Sequence, residues 1–171
     1  MSTETLHPNG AGSNSNSNLH GDAATRWEAM ADDTDANYVD GHVNSYILDT
    51  YAIADTIIPA GSVINSVTVK TRVATSLTGY AAYSKAALKS GATVYYGDEV
   101  TVTSSTYADK TYTWNTNPAD SAVFEVSDLN GLEAGIALKA TLGFASKATH
   151  CEMIVDYTLA TGGRMCQVII C

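Results

Sequence analysis

The amino-acid sequence predicts an all-β protein, an antiparallel β-sandwich of jelly-roll type. Ten Tyr against two Phe accompany many Thr and Val residues, a composition that favours half-buried rings on pleated surfaces. Apolar and polar residues alternate along several short segments, which turn residues separate. No strand–helix–strand rhythm runs through the chain, so about eight to nine short antiparallel strands are expected.

Length and composition limit both the architecture and the partners. The chain has 171 residues, of which 45% are hydrophobic and 16% charged, which suits one globular domain with a hydrophobic core. The formal net charge of -9 repels phosphate backbones and anionic lipid, so neither nucleic acid nor membrane is an expected partner. Apolar runs are far shorter than the ~20 residues of a membrane-spanning helix.

The N-terminal part divides into an arm and the beginning of the domain. Residues 1–22 include the low-complexity run AGSNSNSN, which is typical of a flexible arm. The jelly-roll domain is predicted to span residues 23–160. It opens with TRWEAMADDTDANYVDG, interpreted as a structured loop that ends in a strand.

Strand signals begin near Asn44 and follow one another along the chain. The segment SYILDTYAI predicts a strand, and a Pro-Ala-Gly turn precedes the alternating run SVINSVTVKTRVAT. The next strands are expected in GYAAYSKAALKSG and on both sides of the Gly-Asp turn in TVYYGDEVTVTSS. In YADKTYTWNTNP, Tyr112 and Trp114 share one face of a strand.

One short helix is predicted near residues 127–134. Ser127 is a candidate N-cap, Asp128 lies in the first turn, and Gly135 is a candidate stop. Two further strands are expected in GIALKATLGF and THCEMIVDYTLA. A Gly-Gly hinge then precedes residues 161–171, predicted to be a C-terminal strand or arm for subunit contact.

The run KTYTWNTNPADSAVFEVSDLNGLEAGIALKA, followed by HCEMIVDYT, contains a set of motif positions. They are Trp114, Asn117–Pro118, Phe124, Asp128–Leu129, Leu132, Gly135–Ile136 and Val155–Tyr157. With TLHPNG and INSVTVKTRV, they resemble the pattern of jelly-roll modules in phage virion proteins and in related proteins of environmental bacteria and archaea. The similarity spans most of residues 5 to 158, with Phe124 where the pattern usually has Trp.

This resemblance implies a non-enzymatic virion structural protein, used as a capsid decoration, cementing, fibre or tail-associated protein. Such a protein would assemble symmetrically, commonly as a trimer, and contact other virion proteins such as the major capsid protein. It would lie on the virion surface after synthesis in the host cytoplasm, because the N-terminal sequence lacks the features of a signal peptide. The alternative is an adhesive or carbohydrate-binding β-sandwich module.

The acidic segment DDTDANYVDG is the strongest candidate for a cofactor site. Its oxygen ligands are spaced as a calcium loop could use them, and they are Asp33, Asp35, Asn37 and Asp40. The segment lacks the Gly and the Glu that an EF-hand loop requires, so a solvated acidic loop with Asx-turns is favoured.

No catalytic constellation is visible in the sequence. The segments contain no nucleophile elbow, no phosphate-binding glycine loop and no protease-like Cys-His motif, so no enzymatic activity is expected. A hydrolase with two carboxylates facing each other in a cleft is a third alternative, because such a pair meets only in the fold. His7, His20, His42 and His150 are scattered without metal-ligand spacing, and surface roles are expected for them.

The aromatic residues have two interpretations. They could fill the core and its margins, which half-buried strand positions favour, with Trp27, Trp114 and Tyr157 as core aromatics. Alternatively, a platform on which sugars stack could be formed by Tyr80, Tyr83, Tyr95, Tyr96, Tyr107 and Tyr112 with Trp114.

Three cysteines cannot all pair within one chain. Cys166 and Cys171 are ~16 Å apart on an extended strand, and a disulfide tolerates only ~6 Å between Cα atoms. Cys151, Cys166 and Cys171 are therefore candidates for disulfides between subunits. The apolar side chains of Val168, Ile169 and Ile170 are expected to form the contact strand.

Overall fold

The computed structural model of the protein describes residues 1–32, 34–141 and 143–160. These residues form twelve strands and two short helices. In chain order the strands are β1 (Ser2–Leu6), β2 (Pro8–Ser15), β3 (Asn18–His20), β4 (Tyr38–Gly41), β5 (Ile47–Ile53), β6 (Val63–Thr75), β7 (Ala82–Ser90), β8 (Thr93–Tyr96), β9 (Val100–Val102), β10 (Ala108–Trp114), β11 (Leu132–Ala140) and β12 (Ser146–Thr158). The helices are α1 (Arg26–Ala31) and α2 (Val126–Leu129).

The strands form two antiparallel sheets packed face to face. The first sheet has the order β10-β6-β12-β4-β3, and β1 pairs with the C-terminal half of β12. The second sheet has the order β2-β5-β11-β7-β8, and β9 also pairs with β7. The chain crosses between the sheets at most of its connections. This architecture confirms the predicted all-β sandwich of jelly-roll type, with more strands than expected.

The core lies between the inner faces of the two sheets. In β6, alternate residues from Val67 to Val73 are buried, whereas in β12 all residues from 148 to 153 are buried. Met153 lies opposite Val69, and Val155 lies opposite Val67. The second sheet contributes Ile136 and Leu138 from β11. Burial of each such side chain contributes about 1.5–3 kcal/mol, so this alternation determines which face of each strand points inward.

The N-terminal region differs from the flexible arm that its composition predicts. Residues 2–20 lie mostly in β1, β2 and β3, which belong to both sheets. Backbone and side-chain donors of Asn16 and Ser17 bond the buried carboxylate of Asp49, with Asn16 N at 2.5 Å from Oδ1. Ser and Asn are polar enough for a loop, but here the tertiary fold supplies acceptors that hold them in place.

Both helices are short, and one of them was not predicted. Helix α1 begins after Thr25, whose Oγ1 accepts a hydrogen bond from the Glu28 amide at 3.3 Å, and it buries Met30. Neither helix of the described residues is long and apolar enough to cross a membrane.

Helix α2 begins one residue earlier and ends well before the boundary predicted near 134. Its cap is Glu125, whose amide donates to Asp128 Oδ2 at 2.8 Å. Strand β11 starts at Leu132 and pairs with β5 on one side and β7 on the other. These two ladders outweigh the local helix signal, and Gly135 lies inside β11 and does not end a helix.

Gly135 allows β5 and β11 to approach closely. A Cβ atom at this position would lie 2.1 Å from the carbonyl oxygen of Asp49 and 2.9 Å from Thr50 Cα. Both are backbone atoms in the neighbouring strand, so they cannot rotate away from an added methyl group.

We expect Gly135→Ala to lower the free energy of unfolding by about 2–3 kcal/mol, because the two strands must separate to admit the methyl group. Gly10→Ala in β2 is the control, since its Cβ would meet only Ala52 Cβ at an ordinary 3.6 Å. Urea denaturation followed by circular dichroism measures both variants. Equal stability of the two variants would contradict the predicted clash.

Candidate functional site

A cluster of aromatic and charged side chains lies on the outer face of the second sheet. We call it the tyrosine–lysine surface, and it consists of Tyr46, Tyr83, Lys85, Glu99 and Lys139. Lys139 Nζ lies 4.7 Å from the ring centroid of Tyr46 and 4.4 Å from that of Tyr83. Lys85 Nζ lies 4.7 Å from the Tyr46 ring. Such cation–π contacts fix the rings and the ammonium groups relative to one another.

Strand alternation positions this surface. Tyr83 and Lys85 point outward from β7, while Ala82 and Ser84 between and beside them are buried. Lys139 of β11 lies directly opposite Tyr83 in the antiparallel register. Tyr83, Lys85 and Lys139 therefore share the outer face, because the residues that alternate with them on β7 and β11 point into the core.

Glu99 links the surface to the loop before β9. Its carboxylate accepts hydrogen bonds from Tyr46 Oη and from Lys139 Nζ, the latter at 3.1 Å. Burial and then the hydrogen bond to Glu99 raise the pKa of Tyr46. The bonds from Tyr46 and Lys139 lower the pKa of Glu99. The phenol therefore stays protonated and the carboxylate ionised at neutral pH.

The surface extends along the same face of the sheet. Tyr96 of β8 lies opposite Ala87, which points the same way as Tyr83 and Lys85, and its side chain is 47% exposed. Rings offer apolar faces, while ammonium, carboxylate and phenol groups donate or accept hydrogen bonds. The arrangement can bind a ligand that has both an apolar face and hydroxyl groups.

A second polar cluster centres on Glu133, farther along β11. Its carboxylate accepts bonds from Ser13 N at 2.8 Å, Ser13 Oγ at 2.5 Å and Thr50 Oγ1 at 2.5 Å, and it pairs with Lys89 Nζ at 3.1 Å. Burial favours the neutral acid, but these donors outweigh burial and lower the pKa of Glu133 to about 2. All of its acceptor capacity is used within the chain, so Glu133 fixes β2 on the sheet.

The outer face of the first sheet contains an ion-pair cluster around Glu152. Lys70 Nζ lies 2.5 Å from Glu152 Oε1, and His150 Nε2 lies 3.1 Å from Oε2. Burial raises the pKa of Glu152, but the hydrogen bonds from Lys70 and His150 have the larger combined effect. The pKa is therefore lowered, and the carboxylate is ionised. His7 is adjacent, with Nδ1 at 4.0 Å from Oε2.

Two groups among the described residues bring together three side chains that could bind a metal ion. One is His7, His150 and Glu152, and the other is His20, Asp40 and His42. In each group the ligand atoms lie within 4.8 Å of one another. The sequence analysis missed both groups because each combines separate stretches of the chain. His7, between β1 and β2, meets His150 and Glu152 of β12, and His20 of β3 meets Asp40 of β4 and His42 just after it.

The predicted calcium ligands do not form one site among the described residues. Asp33 lies outside these residues. Arg72 occupies both carboxylate oxygens of Asp35, at 2.8 and 3.0 Å, and these bonds lower the pKa of Asp35. Asn37 Nδ2 donates to Asp32 at 2.7 Å, whereas Asp40 lies in β4 beside two histidines. Each of these side chains is thus engaged by a different partner, and they do not converge on one calcium ion.

The predicted aromatic residues occupy different environments. Trp114 is buried, and Tyr112 packs edge-on against it at 4.7 Å between ring centroids. Trp27 and Tyr157 are partly buried and pack against the core. Tyr80 is 46% exposed and stacks on Phe144 at a loop end.

Of the aromatic residues predicted to form a platform, Tyr83 and Tyr96 lie on the outer face of the second sheet. Tyr46, which the sequence analysis omitted, joins them from the loop before β5. Tyr46 lies in the segment predicted as a strand, but Tyr83 and Lys139 beside it come from β7 and β11, and the sequence does not reveal which strands are neighbours.

Cys151 is not available to a second subunit. It faces the core from β12, is fully buried and has a free thiol, and burial raises its pKa. This corrects the prediction of an intermolecular disulfide at Cys151, because the thiol becomes accessible only if the sandwich opens. The remaining candidates for covalent or apolar subunit contact lie outside the described residues: Cys166, Cys171, Val168, Ile169 and Ile170.

No family model and no curated protein matches the chain. Among solved structures, it is similar to a carbohydrate-binding module of Cellvibrio mixtus lichenase 5A in complex with cellotriose, with 13% identity, 90% of this chain and 96% of that chain covered, and a TM-score of 0.46. It is also similar to the C-terminal carbohydrate-binding module of LamC, a marine laminarinase from Zobellia galactanivorans, with 13% identity, 91% and 100% covered, and a TM-score of 0.46.

A third similar structure is a Stig cyclase from Fischerella sp. TAU, with 12% identity, 90% of this chain and 84% of that chain covered, and a TM-score of 0.44. At these identities and TM-scores the similarity concerns the general fold and assigns no function.

We expect the protein to lose stability as the pH falls from about 4.5 towards 2, because the pKa of Glu133 is depressed in the folded state. Its contribution is fully present above the unfolded pKa and disappears on protonation. Glu133→Gln should remove about 1–3 kcal/mol of this pH dependence. Denaturant unfolding at several pH values measures the effect.

The control for this measurement is Asp55→Asn, because Asp55 is exposed in the loop after β5. Its curve of stability against pH should follow the wild type. A Glu133→Gln curve that is equally steep between these pH values would refute the role assigned to Glu133.

Proposed function

We propose that the protein is a non-enzymatic glycan-binding β-sandwich module and that the tyrosine–lysine surface is its binding site. The observation that supports this proposal is the placement of two tyrosine rings, two lysines and a glutamate on one exposed sheet face. The C–H face of a pyranose ring packs on an aromatic ring, and its hydroxyl groups require donors and acceptors at the margin.

The charges on this surface favour a polar ligand of low charge. Lys139 is paired with Glu99, so a positive and a negative group lie within 3.1 Å of each other. Together they can donate to and accept from the hydroxyl groups of a sugar without selecting for a net charge. The remaining ammonium, on Lys85, adds a donor beside the Tyr46 ring.

The rings are rigid before any ligand binds. The Tyr46 hydroxyl is bonded to Glu99, and its ring contacts both lysines, so little side-chain freedom is lost on binding. Tyr96, at the other end of the face, offers a further exposed ring for a longer oligosaccharide.

We expect Tyr83→Ala to weaken glycan binding by about fivefold or more, taking the stacking of a nucleic-acid base on an aromatic ring, about 1–3 kcal/mol, as the guide to the loss of one ring. A glycan array that includes β-glucans and uronate polymers identifies the ligand, and calorimetry measures the affinity. Tyr46→Phe keeps the ring but removes the hydrogen bond to Glu99, so its glycan affinity should fall less than that of Tyr83→Ala.

Tyr80→Ala is the matched control, because Tyr80 is similarly exposed but stacks on Phe144 at a loop end outside the tyrosine–lysine surface. Its affinity should equal that of the wild type. Absence of binding to every glycan on the array, or equal losses in Tyr80→Ala and Tyr83→Ala, would overturn the proposal.

The virion structural role stays a prediction that rests on the sequence resemblance. Its partners, its symmetric assembly and its surface location depend on a contact strand in residues 161–171, which lie outside the described residues. A native mass measurement of the full chain distinguishes a symmetric oligomer from a monomer, and glycan binding is compatible with either.

A further inference from the structure

Two histidines and an aspartate meet at the outer edge of the first sheet, where β3 pairs with β4. His20 Nε2 lies 3.0 Å from Asp40 Oδ2, and His42 Nε2 lies 2.9 Å from Asp40 Oδ1. All three ligand atoms lie within 4.8 Å of one another. The group therefore presents two imidazole nitrogens and a carboxylate around one small volume.

Strand geometry places these side chains on one face. Tyr38 and Asp40 alternate along β4, with His42 directly after its end, and the register sets His20 of β3 opposite Tyr38. The His20 and Tyr38 rings stack with centroids 4.7 Å apart and planes inclined by 12°. Packing thus fixes the orientation of one imidazole before any ligand is bound.

A neighbouring amide orients the carboxylate. Asn18 Nδ2 donates to Asp40 Oδ1 at 3.1 Å, and Asn18 is paired with Asp40 across the two strands. The Asp40 side chain is only 3% exposed. A nearly buried carboxylate needs a positive partner or several donors to compensate its charge.

His20 Nε2 gives an independent indication. This nitrogen is buried and forms no hydrogen bond in the described structure, although Asp40 Oδ2 is close. Asp40 Oδ2 lies 3.0 Å away but forms no hydrogen bond with this nitrogen, so both atoms are available as ligands for an ion held between the two strands. A buried polar atom without a partner costs free energy, which an ion at this point would recover.

We propose that His20, Asp40 and His42 bind a divalent transition-metal ion, with Zn²⁺ as the best match, and that the ion joins β3 to β4. Imidazole nitrogen and carboxylate oxygen are ordinary zinc ligands, and three protein ligands leave a coordination position for water. His42 is half exposed, so the ion can enter from solvent.

The group of His7, His150 and Glu152 is different because an ammonium group is paired directly with its carboxylate, whereas Lys147 beside the His20 group lies over the Tyr38 ring. The Lys70 ammonium lies 2.5 Å from Glu152 Oε1. His150 is engaged at both ring nitrogens, by the Asp32 carbonyl and by Glu152, each at 3.1 Å. A metal ion would be repelled by the ammonium, so this group serves as the internal control.

Zinc titration of the untagged full chain, followed by calorimetry under reducing conditions, tests the proposal. We expect one Zn²⁺ per chain, a rise in melting temperature with zinc, and at least about tenfold weaker binding in His20→Gln and His42→Gln. His42 follows the end of β4 and is exposed, so its substitution should leave the fold intact. His7→Gln should bind zinc as the wild type does.

Cobalt(II) then identifies the ligands. Coordination by nitrogen and oxygen gives visible bands without the near-ultraviolet thiolate band that binding to the cysteines would produce. Calcium should not compete, because it prefers oxygen ligands. The proposal would be overturned by a thiolate band or by the absence of binding at micromolar zinc. It would also be overturned if His42→Gln kept its zinc binding or His7→Gln lost it.

Discussion

Antiparallel pairing of β6 with β12 is the constraint on which the rest of the structure depends. These two strands of 13 residues each form the centre of the first sheet, and every other strand of that sheet is attached through them: β10 to β6, β1 and β4 to β12, and β3 through β4. Their inner side chains form one wall of the core. Register along this ladder therefore determines both what is buried and which polar groups meet outside.

Both proposed sites are built from the residues that alternate with the core. On β7 and β11, Tyr83 and Lys139 point outward between buried neighbours, and on β4 Asp40 lies beside the fully buried Val39. The sheet backbone holds these strand side chains in place, and Tyr46, Glu99 and His42 complete the two sites from positions next to strand ends. Outward positions such as Tyr83 can therefore serve binding while inward ones keep the fold, although Glu133 shows that an outward residue can also hold two strands together.

The structure confirms the strands predicted in SVINSVTVKTRVAT and THCEMIVDYTLA, because those predictions rest on local periodicity. The alternation in residues 63–75 and 146–158 requires one buried face whatever its partner is, and the structure has strands there. The helix predicted near 127–134 is present but already ends at Leu129, and the predicted N-terminal arm is paired into both sheets. Both differences arise for the opposite reason. Gly135 and the Ser-Asn run have local preferences weaker than the pairing energy that neighbouring strands supply, and a single sequence does not reveal those neighbours.

The sequence by itself determined the all-β class and the location of several long strands, because alternation of apolar and polar side chains is a property of the strand alone. Only the tertiary structure decided the sites. It brought Tyr46 beside Tyr83 and Lys139, and it placed His20 next to Asp40 across two strands. The physical reason is that such contacts join residues far apart in the chain, and sheet order and register, which no local pattern encodes, set their distances.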